Sequence, residues 1–488
     1  MSATMLLLAM TLTTADAKYV EVELKPGGDR QTVLSDDLDG DGHDELVLLG
    51  GRDVSIFFLA DGVIPSAPQV TVRLDDDVVF IDLGDVDGDD ARELVTLSPS
   101  GVRAISFSGR RAGAPTDVAG LEVERIALHA VPALDVGWND ILVEIDGAGG
   151  EDAVLPTDDG YRVLLRTDDG FRPAGLVPAL PSGTIELSKG SDLGVVEQTV
   201  VMPRLYFGDV DGDGAAEALT FDGRTVRAYA RPEAGGPDAL WPRRLAKTLY
   251  TVDSTLAEDL FASRNVRLED LDATGRSLLM VVRSLDGRLD IFAGAGGDDP
   301  FTERRSLRLD GWILPPKLID LDGDARVDLL LPTVDAIDLL QLMKIFLSRT
   351  FRMRYSIFMN REGVRYRRTP DVVRELVLPL EYQTSGGDMQ VENQMVYSFD
   401  GDFDGDGRKD FLTRPTPTEL FIHRGTTGED GATFDEKPTW TRRIADSKDF
   451  LTIRPRLCDL NADGKTDLLL LYDARTGGAD RYILHLSR

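Results

Sequence analysis

One nine-residue pattern limits what this chain can fold into more than any other feature. Asp402-Phe-Asp404-Gly-Asp406-Gly-Arg408-Lys-Asp410 places an acid at every second position but one, then runs straight into an apolar segment. It recurs as Asp37-Leu-Asp39-Gly-Asp41-Gly-His43-Asp-Glu45, Asp85-Val-Asp87-Gly-Asp89-Asp-Ala91-Arg-Glu93 and Asp209-Val-Asp211-Gly-Asp213-Gly-Ala215-Ala-Glu217. Asp320-Leu-Asp322-Gly-Asp324-Ala-Arg326-Val-Asp328 and Asp459-Leu-Asn461-Ala-Asp463-Gly-Lys465-Thr-Asp467 complete six good copies. A tight turn brings alternate residues onto its concave side. Side-chain oxygens at positions 1, 3, 5 and 9, with the backbone carbonyl of position 7, then form a donor set for a hard cation. Ca²⁺ accepts six to eight oxygens in a tolerant geometry, whereas Mg²⁺ demands a tight octahedron. About six structural Ca²⁺ sites are expected. The plain alternative is an Asp/Gly turn that only solvates its charges.

Position 12 separates these loops from an EF-hand, which needs a bidentate Glu there on an exiting helix. Here it is Leu48, Thr96, Thr220, Leu331, Thr413 or Leu470. A short β-type run follows each loop, so the loops connect strands. Glycine at position 6 supplies the positive φ that such a turn requires. Asp90 and Ala325 replace it in two copies, and Asn461 removes one charge from the last. Two degenerate copies complete the series. Glu144-Ile-Asp146-Gly-Ala148-Gly-Gly-Glu-Asp152 lacks the position-5 ligand, and Asp270-Leu-Asp272-Ala-Thr274-Gly-Arg-Ser-Leu278 lacks the position-9 carboxylate. Both read as turns that keep the fold without the ion.

The copies start at 37, 85, 144, 209, 270, 320, 402 and 459, at intervals of 48 to 82 residues. Such a period fits a four-stranded propeller blade plus a metal loop. In the first unit the strands after the loop read Glu45–Leu49, Val54–Leu59 and Gln69–Leu74. In the second unit the strands read Val78–Asp82 before the loop, then Glu93–Leu97, Val102–Phe107 and Leu121–Ala127. Period-two alternation bounded by Gly, Asp and Pro is the signal. The last unit supplies only three strands, while Tyr19–Leu24 stands spare ahead of the first. Pairing the two ends removes exposed edges. The fold class is therefore all-β, an eight-bladed β-propeller of four-stranded blades closed by the N-terminal strand, with seven blades as the alternative.

The interval of 82 marks an insertion at about 332–368. A helix is expected near 334–347, where Asp335, Asp338, Gln341 and Lys344 form a narrow polar stripe on an otherwise apolar cylinder. Such a helix calls for burial on most sides. Next comes a basic, aromatic-rich strip from Arg349 to Arg368. It is either an outer strand with arginines in water or a surface for an anionic polymer or another protein.

Elsewhere the chain is acidic: 54 basic residues against 85 acidic ones give a formal charge of −31. Bulk charge thus opposes nucleic acid and anionic membranes. Without metal the loop carboxylates repel one another, so folding and ion binding are coupled. Residues 1–17 resemble a signal peptide, with the apolar run Met5–Leu12 and Ala15-Asp-Ala17 before Lys18, though no positive charge precedes the run. No later stretch is long and apolar enough to span a membrane. Cys458 is the single cysteine, so ions rather than disulfides are the available staples. The expected setting is secreted, periplasmic or cell-surface, where calcium is plentiful.

Loops and period together resemble the FG-GAP/VCBS repeat family, whose best-known members form the head of integrin α-chains. Phe207-Gly208-Asp209-Val-Asp211-Gly-Asp213 is the closest single copy, and the resemblance spans residues 19–488. Membership implies a single β-propeller domain over 18–488, Ca²⁺ between strands, and an extracellular or envelope binding role. The family's metal positions carry over to the residues above except at Ala148, Thr274 and Leu278, where the ligand type is lost. The first functional reading is a non-enzymatic binding or adhesion scaffold for protein or glycan. The second is a polysaccharide lyase or other glycan-active enzyme, which needs a base and a cation beside the uronate. The chain has four histidines, His43, His129, His423 and His485, and no nucleophile elbow, zinc signature or phosphate-cradling glycine loop.

Overall fold

The computed structural model describes residues 19–28, 32–60, 62–121, 136–187, 196–233, 235–249, 266–293, 301–335, 339–361, 364–379, 381–385, 388–392, 396–428, 431–445, 450–474 and 481–488. The expected signal peptide, His129 and most of the expected strand Leu121–Ala127 lie outside them.

Each repeat unit folds as an antiparallel meander. Blade 1 is Thr32–Asp36, Glu45–Gly50, Asp53–Phe57 and Val70–Arg73, hydrogen-bonded in that order. Blades 2 to 7 repeat it within residues 80–117, 142–178, 204–248, 266–308, 317–379 and 397–443. The eight blades form a ring, a β-propeller. In blade 2 the fourth strand is the short Thr116–Asp117, and Gly137–Trp138 adds a parallel rung to its first strand.

The burial pattern explains why the second strands are the most apolar. Glu45–Leu49 is buried throughout, whereas Val70–Arg73 alternates half-buried with exposed. Period-two geometry sends Leu46 and Leu48 toward blade 8, where they pack with Leu469, Leu471 and Tyr482. Val47 and Leu49 point the other way, onto Ile81 and Leu94 of blade 2. A strand stacked between two neighbours has no wet face, which gives its sequence a continuous apolar run.

The ring closes as expected. Phe450–Cys458, Asp467–Ala474 and Arg481–Ser487 form three strands of blade 8, and Tyr19–Leu24 is the fourth. Its register runs from Tyr19 opposite Ser487 to Leu24 opposite Tyr482. Leu24 is buried among residues of blades 8 and 1, while the Tyr19 hydroxyl donates to the Phe403 carbonyl of blade 7 at 3.0 Å. One short strand thus touches three blades.

The long sixth unit differs in detail from its expectation. Val334 ends the strand Asp328–Val334, and the described helix is Leu339–Ser348. Its described apolar side chains are not all covered: Met343 is 53% and Leu347 83% exposed. The basic stretch after the helix is the third strand of the blade, Thr350–Phe358, rather than an outer strand. Its Met353, Tyr355 and Ile357 enter the core shared with blade 7. The outer strand is Val372–Pro379, and the remaining extra length includes the hairpin Glu381–Ser385/Asp388–Glu392.

Candidate functional site: a collar of acidic loops

All eight nine-residue loops connect the first and second strands of their blades. They therefore share one face of the ring. Their local geometry follows from two left-handed residues each. Position 6 has positive φ in every copy, from 66° at Ala325 to 88° at Gly214, with Asp90 at 71°. Position 4 does too, which the reading of position 6 alone missed. Gly40, Gly88, Gly147, Gly212, Gly323 and Gly405 occupy it, and Ala273 (57°) and Ala462 (50°) replace glycine there. The signal was the glycine that recurs at that position in six of the eight copies.

The position-1 acid is the organiser of the turn. Asp37 accepts from the N–H groups of Gly40 (2.8 Å), Asp41 (3.2 Å) and Gly42 (2.9 Å). Asp320 and Asp402 repeat the pattern with residues 323–325 and 405–407. The position-5 acid accepts from the position-7 N–H, as Asp41 does from His43 (3.0 Å) and Asp213 from Ala215 (2.9 Å).

Position 9 ties the far end back. Glu45, Glu93, Asp152, Glu217, Asp328, Asp410 and Asp467 each accept from the position-2 N–H, at 2.7 to 3.1 Å. The four aspartates commit the second oxygen as well, to Arg166, Asn360, Gly425 and Ser487 N–H groups. Glu45 does not. Its Oε1 is buried with no hydrogen-bond donor, and the residue is fully enclosed. The position-3 oxygens Asp39 Oδ1, Asp322 Oδ1 and Asp404 Oδ1 are buried without donors in the same way.

Carboxylate oxygens converge in the first loop (Asp37, Asp39, Asp41), the second (Asp85, Asp87, Glu93), the fourth (Asp209, Asp211, Glu217) and the sixth (Asp320, Asp322, Asp328). Within each set the oxygens lie within 4.8 Å of one another. The third loop, expected to have lost its ion, also brings Glu144, Asp146 and Asp152 that close. Burial pushes the position-9 carboxyls up, helped by the other acids of each loop: Glu45 to about 8, Glu93, Glu217 and Asp328 to about 7, Asp410 to about 6. Clustered, desolvated oxygens with unused lone pairs fit a divalent cation better than they fit their own company.

Arginines approach some loops. Arg424 spans Asp404 at 2.8 Å and Asp406 at 2.7 Å, and Arg244 pairs with Asp211. Lys465 reaches Asp463 at 3.2 Å, Arg326 its own loop's Asp324 at 3.5 Å, and Arg408 contributes its N–H to Asp406. The first loop has no ion-paired cation among the described residues.

Neighbouring loops are hydrogen-bonded to each other. The position-1 carbonyls of Asp37, Asp209 and Asp402 accept from the position-8 N–H of the next blade, Arg92 (2.8 Å), Ser277 (2.7 Å) and Thr466 (2.7 Å). Close approach explains two glycines. A Cβ at Gly84 or Gly208 would lie 2.4 Å from Leu142 or 2.3 Å from Ser277 Oγ, respectively. These bonds tie the first loop to the second, the fourth to the fifth and the seventh to the eighth, so order in one supports its neighbour.

The other expected site residues are dispersed. His423 Nδ1 lies 2.8 Å from the Asp435 carbonyl beside Phe411, and buried His485 belongs to blade 8. The basic strip is largely neutralised. Arg352 pairs with Glu375 (3.1 Å), Arg354 with Asp335 (2.8 Å), and Arg361 and Arg367 both with Asp371 (2.9 and 3.1 Å). No described helix is long and apolar enough to cross a membrane.

No protein-family model matches the sequence, and no curated protein matches it. Among solved structures it is similar to a Photorhabdus luminescens Tc holotoxin pore, with 15% identity over 93% of this chain and a TM-score of 0.34. The chain spans 20% of that protein's length. An Agrocybe aegerita lectin that recognises non-reducing terminal N-acetylglucosamine shares 14% identity over 86% of this chain and 80% of its own, with a TM-score of 0.36. The WD40 domain of SCAP from fission yeast shares 9% over 96% and 98%, with a TM-score of 0.41. Likeness at these scores carries no argument about ligands.

Proposed function

We propose that this chain is a calcium-stabilised β-propeller of the FG-GAP/VCBS repeat kind, a secreted or cell-envelope binding scaffold for protein or glycan without catalysis of its own. The observation that carries the calcium part is the set of enclosed oxygens with no donor, Asp39 Oδ1, Glu45 Oε1, Asp322 Oδ1 and Asp404 Oδ1, all in loops rich in other carboxylates. An unpaired buried acceptor is costly, and a divalent ion satisfies several at once. Asp37, Asp39, Asp41 and Glu45 would hold the first ion, and the homologous positions of the other loops the rest. The ion supplies charge neutralisation and a staple across each turn.

The scaffold part rests on architecture. The collar occupies one face, so ions stiffen the ring while the connections on the opposite face remain for recognition. Metal analysis of protein purified without chelator tests the reading. Calcium at several equivalents per chain, with a melting temperature that falls on chelation, is the expected result. Metal-free protein with unchanged melting in calcium would refute it. Mixing with acidic polysaccharide separates the binding and lyase readings, because lyase action creates an absorbing unsaturated uronate and binding alone does not.

A further inference from the structure

Basic side chains gather elsewhere, on the outer half of blade 5. Asp290, on the third strand Arg288–Ala293, is fully buried, and three guanidiniums share its carboxylate. Arg288 donates through Nε and an Nη at 2.7 Å each, Arg304 Nε lies at 3.0 Å, and Arg283 Nε at 3.2 Å. Ser306 Oγ adds a fifth bond at 2.5 Å. Arg304, Ser306 and Arg308 stand on one face of the outer strand Glu303–Arg308, and Arg308 lies directly opposite Arg288 in register. Like charges opposed across a ladder are destabilising, and Arg288, Arg304 and Arg308 together carry two positive charges more than Asp290 returns. Lys247, from the outer strand of blade 4, adds a further cation 5.0 Å over the Phe292 ring beside them. Asp286 and Asp310, on the flanking turns, form no ion pair with these arginines among the described residues.

We propose that Arg288 and Arg304, both bonded to Asp290, form with Arg308, opposite Arg288 in register, a binding site for a doubly charged oxyanion, a sulfate or phosphate group. Asp290 uses the inner edges of Arg288 and Arg304. The remaining Nη donors of both side chains, and all of Arg308, make no other bond among the described residues, and the Arg304 side chain is 42% exposed. A planar guanidinium presents parallel N–H donors at the spacing of two oxyanion oxygens, and three held in one patch can share a tetrahedral group. The charge excess of two matches a dianion. At −31 overall the chain repels anions in general, so retention of one must come from a local arrangement. The inference is independent of the calcium reading.

The test is calorimetric titration of the full chain with sodium sulfate, against sodium chloride at matched ionic strength. Sulfate should bind where chloride does not, with affinity at least tenfold weaker in Arg308→Gln and in Arg304→Gln, and unchanged in the surface control Arg172→Gln. Arg308 makes no side-chain bond among the described residues, so that variant should keep the fold. Inorganic phosphate should follow sulfate at pH 7.5 and bind more weakly at pH 5, where it loses its second charge (pKa about 6 in esters). A sulfated monosaccharide that binds tighter than the free ion assigns the group to a larger ligand, and equal affinity assigns it to the ion itself. Either supports the site. No heat beyond the chloride control, or affinity equal in parent and both arginine variants, overturns it.

Discussion

Glu45→Gln is the sharpest test of the loops, because its two consequences separate by condition. In the parent, Glu45 Oε2 accepts the Leu38 N–H at 2.8 Å while Oε1 is enclosed without a donor. A glutamine keeps an oxygen for Leu38 and puts an amide NH₂ where the free oxygen stood. In chelator near neutral pH the Glu45 carboxyl, pushed up to about 8 by burial, is mostly protonated, so glutamine replaces one neutral hydrogen-bonding group by another. The variant should therefore unfold within about 1 kcal/mol of the parent. On the proposed calcium reading, the variant in calcium should lose a ligand. A lost site forfeits RT ln(1 + [L]/Kd), about 2.7 kcal/mol at a hundredfold excess of free ion over Kd. Urea unfolding in both buffers, with calcium counted on the native protein, reads the difference. A loss of the same size with and without calcium, or an unchanged calcium count, would show that Glu45 only props the backbone.

Leu24→Ala should lower stability by roughly 3 kcal/mol, as buried leucines do, because Leu24 seals blades 8 and 1. A change below 1 kcal/mol in denaturant unfolding would mean the closing strand is dispensable. Arg424→Gln should tighten calcium binding at the seventh loop by freeing Asp404 and Asp406, and a calcium titration showing weaker binding would reverse that role. His485 is buried and its ring is pushed down to about 4 from 6.5. The unfolded chain therefore takes up the proton first, so stability present above about pH 6.5 is lost as pH falls toward 4, at most about 3 kcal/mol. An NMR titration in which the His485 ring protonates near pH 6.5 in the native state would contradict this.

The loops were legible because their chemistry is carried by side chains at fixed spacing, and the closing strand because the last unit was one strand short. The contacts joining loop to loop were not. They run between a position-1 carbonyl and a position-8 N–H, and position 8 is Arg92, Ser277 or Thr466, with no shared side chain to announce it. Blade 6 misled for a related reason. Arg352 and Arg354 alternate with Phe351, Met353 and Tyr355, a half-buried strand whose charges looked like a patch until Glu375 and Asp335 were placed against them. The arginines of blade 5 went unnoticed because they come from three strands, and only Asp290 draws them together.

The closure carries a mechanical consequence. Tyr19 sits opposite Ser487, so a load entering at one and leaving at the other acts on the same end of their antiparallel pairing. Such a pull peels rungs singly, like a zipper, instead of shearing all six at once. A tether attached through these ends would open the ring at low force, whereas one anchored between interior blades would meet the full stack.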